Sequence, residues 1–226
     1  MHIDFHMHLA LKETESIYDK ARDSRHHHPF RVKPIQLLSV EELVADLDQA
    51  SIDQRVFLAD GRPSKEVSPE LLLSSAIKAL GIHASRFILF AGTRLFPSIW
   101  EGERGVAQFL AFLEKFQVKG LKIIPSGEGR YANDPAFHSL YEGIRDSRRI
   151  IIFHTGQSFF PQTRLKFNHP LALDDVAVDF PALPIVMAHF GLPWFMEALS
   201  IARRHSNLPL GSVPRSLLRS RMGIRY

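Results

Sequence analysis

Apolar and polar residues alternate at the start of the chain. In M-H-I-D-F-H-M-H-L, residues 1–9, every second residue from Met1 to Leu9 is apolar and the residues between are polar. A period of two predicts a β-strand, in which residues i and i+2 lie on one face. His6 and His8 therefore share a face. Two imidazoles on one face suit a divalent transition metal, although a histidine-rich N-terminus without any ligand role would show the same pattern.

Five later segments are short apolar runs, and amphipathic stretches separate them. Continuous apolar runs are typical of strands buried on both faces, as in parallel sheets. The runs predict strands over residues 55–60, 86–92, 120–124, 149–153 and 183–188. The stretches between them have the spacing of a helix with one apolar face, and they predict helices over residues 39–50, 68–80, 105–116, 134–145, 171–180 and 193–204. Ser39 and Glu42 have the spacing of a capping box for the first of these helices.

A strand followed by a helix thus occurs six times. This order predicts an α/β fold with a parallel sheet and helices outside it, as in a TIM (β/α)8 barrel. No G-x-G-x-x-G sequence follows any of the strands, which argues against a dinucleotide-binding fold. Residues 11–35 are polar and contain His26, His27 and His28. We interpret them as a long loop whose adjacent histidines do not converge on one ion.

Polar residues collect where the predicted strands end. In a β/α barrel the active site forms at this end of the strands. Four histidines at three strand ends favour a functional site over separate core histidines. The polar residues at the strand ends are His6, His8, Asp60, Thr93, Lys122, His154 and His189.

Composition limits the chemistry that such a site can use. The chain has 226 residues, of which 45% are hydrophobic and 23% charged, as expected for one globular domain. It contains no cysteine, so any metal must be held by His, Asp, Glu or a modified Lys. No apolar run reaches the roughly 20 residues of a membrane span. No signal peptide precedes the first strand, so we expect a cytoplasmic protein.

The net charge of +4 comes from the end of the chain. Up to Glu197 there are 22 basic and 24 acidic residues, whereas six arginines and no acidic residue follow. The basic character therefore belongs to a tail, and we do not expect the domain to bind nucleic acid.

Five segments, each at a strand end or in the loop after it, resemble the amidohydrolase superfamily. The resemblance covers roughly residues 1–207 and is to the amidohydrolase-related (amidohydrolase 2) branch, which includes aminocarboxymuconate semialdehyde decarboxylase and the resorcylate decarboxylases. The segments are D-F-H-M-H-L at 4–9, G-L-K-I-I-P at 120–125, F-H-T-G at 153–156, N-H-P-L-A-L-D-D-V-A at 168–177 and P-I-V-M-A-H-F-G-L-P-W at 184–194.

The resemblance implies a role for each matching residue. It implies that His6, His8 and His154 bind a divalent metal, with zinc our first expectation and manganese the second. His189 would be a further ligand or would act on the metal-activated water. Lys122 falls where some branches carry a carboxylated lysine that bridges two metals; with one metal it would contact substrate. His169 is expected to contact substrate as well.

The chain departs from the family at its C-terminal end. The family has an aspartate at the end of its eighth strand, but no aspartate follows Asp179 here. An eight-unit barrel needs about 250 residues, so we expect an incomplete barrel of six units that occupies residues 1–207. Residues 208–226 would then be a disordered or loosely docked tail, either frame-shifted or a native basic tail for an acidic partner. Open sheet edges favour self-association, so a homo-oligomer is expected.

Several functions fit these features. The first is a metal-dependent hydrolase that uses a metal-activated water on a small-molecule substrate, with an activity lowered by the missing C-terminal aspartate. The second is a metal-dependent decarboxylase, a lyase with the same fold. The third is a truncated chain that binds metal without turnover, and the fourth is a binding module that needs no metal.

Overall fold

The structure, a computed structural model, describes residues 2–8, 11–15, 17, 37–60, 67–158 and 161–208, with Phe5 described by its backbone alone. Six parallel strands form one sheet in the order of the sequence, so each strand pairs with the next. This confirms the predicted α/β fold with a parallel sheet. The strands are β1 (Ile3–His8), β2 (Gln54–Ala59), β3 (Phe87–Gly92), β4 (Gly120–Ile123), β5 (Ile150–His154) and β6 (Ile185–Ala188).

A helix follows each strand from β2 onward, and α1 separates β1 from β2. The helices are α1 (Val40–Gln49), α2 (Pro69–Leu80), α3 (Glu103–Lys115), α4 (Pro125–Glu128), α5 (His138–Asp146), α6 (Ala172–Asp179) and α7 (Phe195–Arg204). The predicted capping box of α1 is confirmed, because the Ser39 side chain accepts from the Glu42 amide and the Glu42 side chain accepts from the Ser39 amide.

One helix was not predicted. The four-residue helix α4 begins at Pro125, directly after β4, and one turn was too short to show a helical period. The predicted helix over 134–145 is divided, since residues 135–137 form a 3-10 turn and α5 begins at His138. Neither difference changes the order of the strands.

The two faces of the sheet have different cores. The larger core lies between the sheet and the helices and includes Phe57, Leu121 and Phe153. The smaller one lies on the other face and contains Val56, Leu58, Phe90, Ile152 and Ala188. Successive strand residues point to opposite faces, so the smaller cluster and its neighbours mark the concave face of the sheet.

The sheet is strongly curled. β1 and β6 are the two ends of the strand order, yet the rings of His6 and His189 have centroids 4.6 Å apart. A flat sheet of six strands would separate these residues by more than 20 Å at about 4.8 Å per strand. The described strands therefore form the incomplete barrel that the sequence predicted.

The described chain ends beside this sheet. The Asn207 carbonyl accepts from the Ile185 amide at 2.8 Å, on the outer edge of β6. Leu208, the first residue of the predicted tail, is fully buried. Residues 209–226 and the loop histidines His26, His27 and His28 lie outside the described residues. Among the helices that the structure does describe, none has the length and hydropathy that crossing a membrane requires.

Candidate active site

Residues on the concave face of the sheet converge where the strands end. On β2, Val56 and Leu58 belong to the concave cluster, and the alternation continues to Asp60. On β5, Ile152 is followed in the same way by His154, and Lys122 on β4 is paired in register with Ile152. On each of these three strands, the alternation places one polar side chain on the concave face near the C-terminal end of the barrel.

A bulge in β1 places the first two histidines. Asp4 pairs with Arg55 and Met7 pairs with Phe57, so β1 holds one more residue than β2 over this stretch. Bulges bend a strand and redirect its side chains, and they are frequent next to active sites. His6 is 6% exposed, whereas the His8 side chain is 45% exposed. The Nε2 atoms of the two rings nevertheless lie 3.0 Å apart.

Four imidazoles form one cluster. The ring centroids of His6 and His8 are 5.0 Å apart, and those of His6 and His189 are 4.6 Å apart. His154 joins at the other side, with its centroid 4.5 Å from that of His189. The structure thus brings together all four histidines that we expected to bind metal, from strands β1 and β5 and the turn after β6.

The loops behind β5 and β6 hold His154 and His189 in place. The Thr155 hydroxyl donates to the Ala188 carbonyl, and the Gln157 amide donates to the Leu192 carbonyl at 2.6 Å. Between them Gly156 has a φ of +78°, and a Cβ there would lie 2.3 Å from the Leu192 oxygen. Only glycine permits this approach, so the two loops pack directly against each other.

The backbone at the end of β6 is strained. His189 has a φ of +65° and Phe190 a φ of +53°, in the left-handed region that costs about 1 kcal/mol or more for residues other than glycine. Such residues persist where the surrounding structure holds them, and they are frequent at functional sites. The strained turn carries the His189 ring against His6 and His154.

Three of the four clustered imidazoles, those of His6, His154 and His189, have lowered pKa values. Burial and the positive charge of Lys122 lower the pKa of His154 from 6.5 to about 3. Burial, followed by Lys122 and the neighbouring histidines, lowers the pKa of His6 far below its usual range. Burial and then His154 and Lys122 do the same for the pKa of His189. Neutral imidazoles have the free lone pair that a metal ligand needs.

The donor chemistry fits a divalent metal, although the rings are not yet arranged around one. Metal–nitrogen bonds of about 2.0–2.1 Å place two ligand nitrogens roughly 2.9–3.4 Å apart, and the Nε2 atoms of His6 and His8 lie 3.0 Å apart. Among the described residues, no group of three or more His, Asp or Glu side chains already has metal-binding geometry. His154 is one reason, because its Nε2 donates to the Gln157 carbonyl at 3.0 Å. It would have to bind through Nδ1 or break this bond.

Asp60 is a site residue that our sequence analysis placed at a strand end without giving it a role. Its Oδ2 lies 3.0 Å from His8 Nδ1, and its side chain is only 11% exposed. Burial raises the pKa of Asp60, but the charge and hydrogen bond of His8 and the charges of Lys122 and Arg94 outweigh burial and hold the pKa below its usual range. The signal in the sequence was the alternation that runs from Val56 through Leu58 to Asp60.

Lys122 is the buried cation of the site. It is 1% exposed, and its Nζ has no hydrogen-bond partner among the described residues. Burial lowers the pKa of Lys122 from 10.5 to about 7, against the opposing effect of Asp60. An amine in this state can bind an anion or exchange a proton near neutral pH.

His169 lies apart from the histidine cluster. Its ring packs on Trp194 with centroids 4.5 Å apart, and its Nδ1 accepts from the Leu171 amide. Both rings line a surface cavity of about 490 Å³, whose described lining includes neither Lys122 nor any of the four clustered histidines. The prediction that His169 contacts substrate therefore depends on a substrate that reaches this cavity.

Comparisons with known proteins agree with this geometry. The sequence profile of the amidohydrolase family, described as "Amidohydrolase", matches residues 3–211. None of the curated proteins matches the chain.

Solved structures show the same fold. An uncharacterized TIM-barrel protein from Bordetella bronchiseptica is 21% identical with a TM-score of 0.65, over 92% of this chain and 73% of that one. A 5-carboxyvanillate decarboxylase from Novosphingobium aromaticivorans, with bound manganese, is 16% identical with a TM-score of 0.60, over 97% and 77%. A probable 2-pyrone-4,6-dicarboxylic acid hydrolase from Acinetobacter baumannii is 13% identical with a TM-score of 0.58, over 97% and 76%.

Proposed function

The chain belongs to the amidohydrolase family, and on that premise we propose that it is a metal-dependent hydrolase of a small-molecule substrate. The observation that carries the proposal is the cluster of four imidazoles, with the Nε2 atoms of His6 and His8 3.0 Å apart. In this proposal His6, His8 and His154 hold the metal, and His189 is a hydrogen-bond acceptor beside them rather than a fourth ligand. Bound there, a divalent ion would supply Lewis-acid activation of water and of a carbonyl group.

Zinc is the metal we expect first. Imidazole ligands suit zinc, and a site with three or four histidines typically holds one ion. Manganese is the second expectation, and the manganese in the Novosphingobium aromaticivorans decarboxylase supports it.

The chain's own residues have distinct tasks in this proposal. Burial first lowers the pKa of His189 far below its usual range, so the ring is neutral and its lone pair can accept a hydrogen bond. Lys122, with its pKa lowered to about 7, can orient a substrate anion through Nζ. The burial of Lys122, which is 1% exposed, strengthens its attraction for an anion.

A decarboxylase is the second candidate function. The observation that favours it is the buried, unpartnered Nζ of Lys122, since a substrate carboxylate would supply the missing partner. A lyase and a hydrolase would use the same histidines. The hydrolase would add water across the bond that it cleaves, whereas the lyase would release carbon dioxide and leave a proton in its place.

The experiment starts with metal. Purified protein is analysed for bound metal, and zinc binding to the metal-free protein is measured by titration calorimetry. We expect about one ion per chain. The double variant His6→Ala, His8→Ala should lose binding; if it bound zinc as well as the unaltered protein, the metal assignment would be wrong.

Substrate panels separate the remaining candidates. Esters and lactones test hydrolysis, and aromatic carboxylates test decarboxylation by release of carbon dioxide. Activity on the first set supports the hydrolase, and activity on the second supports the lyase. Tight zinc binding without turnover on either set would favour a chain that binds metal only.

A further inference from the structure

Asp60 packs between His8 of β1 and Gly92 of β3. Its Oδ2 lies 3.0 Å from His8 Nδ1. On the other side lies Gly92, the last residue of β3. A Cβ on Gly92 would come within 2.8 Å of both the Cα and the Cβ of Asp60. The absent side chain at Gly92 therefore leaves the space in which Asp60 packs against His8.

The carboxylate determines which nitrogen of His8 carries the proton. An ionised carboxylate can only accept hydrogen bonds, so in a neutral His8 the proton lies on Nδ1 and points to Asp60. The lone pair of His8 is then on Nε2. Since His6 Nε2 lies 3.0 Å from His8 Nε2, His6 Nε2 is then the donor of this hydrogen bond. The three side chains form a chain of hydrogen bonds from His6 through His8 to Asp60.

We propose that Asp60 is a positioning residue that holds His8 in the tautomer protonated on Nδ1 and so presents its Nε2 lone pair inside the cluster. The tautomer follows from the contacts of Asp60 alone. Its consequence for metal binding rests on the proposed function. Carboxylates that hold a ligating histidine in this way typically contribute 10–100-fold to metal affinity. Metal ligation through His6 Nε2 would also require that its proton move to Nδ1 or leave.

The first test observes the tautomer in metal-free protein. Long-range ¹H–¹⁵N correlation spectra of ¹⁵N-histidine-labelled protein distinguish protonated from unprotonated ring nitrogens, and a His8→Gln spectrum assigns the His8 signals. We expect a protonated Nδ1 and an unprotonated Nε2 on His8. Protonation of His8 Nε2 in the unaltered protein would overturn the proposal.

Two kinds of variant remove the effect of Asp60. Asp60→Leu removes the acceptor at similar size, and we expect His8 to populate both tautomers. Asp60→Asn keeps an oxygen that can accept, and it should retain most of the tautomer. Gly92→Ala changes no titratable group and meets no backbone strain at its φ of −81°, but its Cβ displaces Asp60. It should shift the tautomer in the same direction as Asp60→Leu.

The control is Asp46→Asn, which removes an exposed carboxylate on α1 and should leave the His8 tautomer unchanged.

The second test measures zinc affinity of the same variants. We expect Asp60→Leu to weaken zinc binding by about 10–100-fold, Asp60→Asn to lie between, and Asp46→Asn to match the unaltered protein. Unchanged zinc affinity in Asp60→Leu and Gly92→Ala would overturn the positioning role. If the unaltered protein bound no zinc, the proposed function would fail, while the tautomer measurement would still decide the role of Asp60. Circular dichroism of each variant separates loss of fold from loss of the contact.

Discussion

Buried cations at the two ends of the barrel differ in their hydrogen bonding. Near the N-terminal ends of the strands, Arg149 is 9% exposed and has two hydrogen-bond partners among the described residues. Its Nε donates to the Val118 carbonyl at 3.0 Å, and its Nη2 donates to Glu114 Oε2 at 2.5 Å. At the C-terminal ends Lys122 is even more buried, yet its Nζ has no hydrogen-bond partner within the described chain.

Arg86 repeats the pattern of the N-terminal end. Its Nε donates to the Asp53 carbonyl at 2.8 Å, its Nη2 donates to the Ile52 carbonyl at 2.9 Å, and its Nη1 lies 2.8 Å from Asp48 Oδ1. Such arginines join strands to helices and contribute stability. An unpartnered buried amine costs free energy instead, so stability does not account for Lys122 at this position.

The largest effect is expected on metal binding by the histidine cluster, at the C-terminal end of the barrel. Replacing both His6 and His8 by alanine removes the Nε2 pair, and we expect zinc affinity to fall by at least about 100-fold because two of the proposed ligands are lost. Titration calorimetry measures it. His2→Ala, on the same segment but with its Nδ1 at the Ser51 carbonyl, is the control and should bind zinc normally.

Acid should lower the stability of the protein through the buried histidines at the C-terminal end of the barrel. The pKa of His154 is lowered from 6.5 to about 3 by burial first, so the unfolded chain binds more protons than the folded one between these values. The stability that this histidine contributes is present above pH 6.5 and is lost as the pH falls toward 3. Denaturation of metal-free protein by urea should show a loss of up to about 1.4 kcal/mol per pH unit for each such histidine.

A substitution of His154 measures how much this residue contributes to the loss of stability in acid. His154→Gln should show a shallower decline between pH 6 and pH 4 than the unaltered protein, since one proton-binding group of the unfolded chain is gone. Equal slopes would contradict a buried, neutral His154.

Removing the paired arginine should destabilise the protein. Arg149→Met leaves the Val118 carbonyl without its donor, and we expect the free energy of unfolding to fall by about 1–3 kcal/mol. The ion pair adds little to this figure, because the Glu114 side chain is 81% exposed. Chemical denaturation measures the change. An unchanged stability would remove the contrast between the two ends.

Removing the unpartnered lysine should have the opposite sign. Lys122→Met replaces a buried amine without a described partner by an apolar side chain of similar length, so we expect a gain of about 1–2 kcal/mol at pH 7 together with loss of activity. Lys119→Met, at an exposed position near the start of β4, is the matched control and should change stability by less than about 0.5 kcal/mol. A large destabilisation by Lys122→Met would mean that the amine has a structural role.

The smallest effect is expected at His169. Because it contacts Trp194 and Leu171 rather than the cluster, His169→Ala should leave zinc affinity within about twofold and lower stability by roughly 0.5–1.5 kcal/mol, the range of an aromatic contact. A raised KM with unchanged kcat would support the substrate contact that the sequence predicted. A loss of zinc binding would contradict the separation of His169 from the cluster.

Much of the architecture was predictable from local patterns. Period-two alternation and short apolar runs predicted all six described strands, and the helical periods between them predicted a parallel sheet with helices outside. The capping box of Ser39 and Glu42 was readable because it depends on residues three apart. The same local rules predicted that His6, His8, Lys122 and His154 lie at strand ends, where a barrel concentrates its chemistry.

The sequence by itself determined the strands, their order and the residues that reach the C-terminal ends. Only the tertiary structure decided how those residues meet, since that depends on the bulge in β1, the curl of the sheet and the strained turn at His189. The contact of Asp60 with His8 depends on space left by Gly92 in a third strand. Periodicity reports which face a residue occupies, but pairs that are distant along the chain are set by packing between strands, which leaves no local pattern.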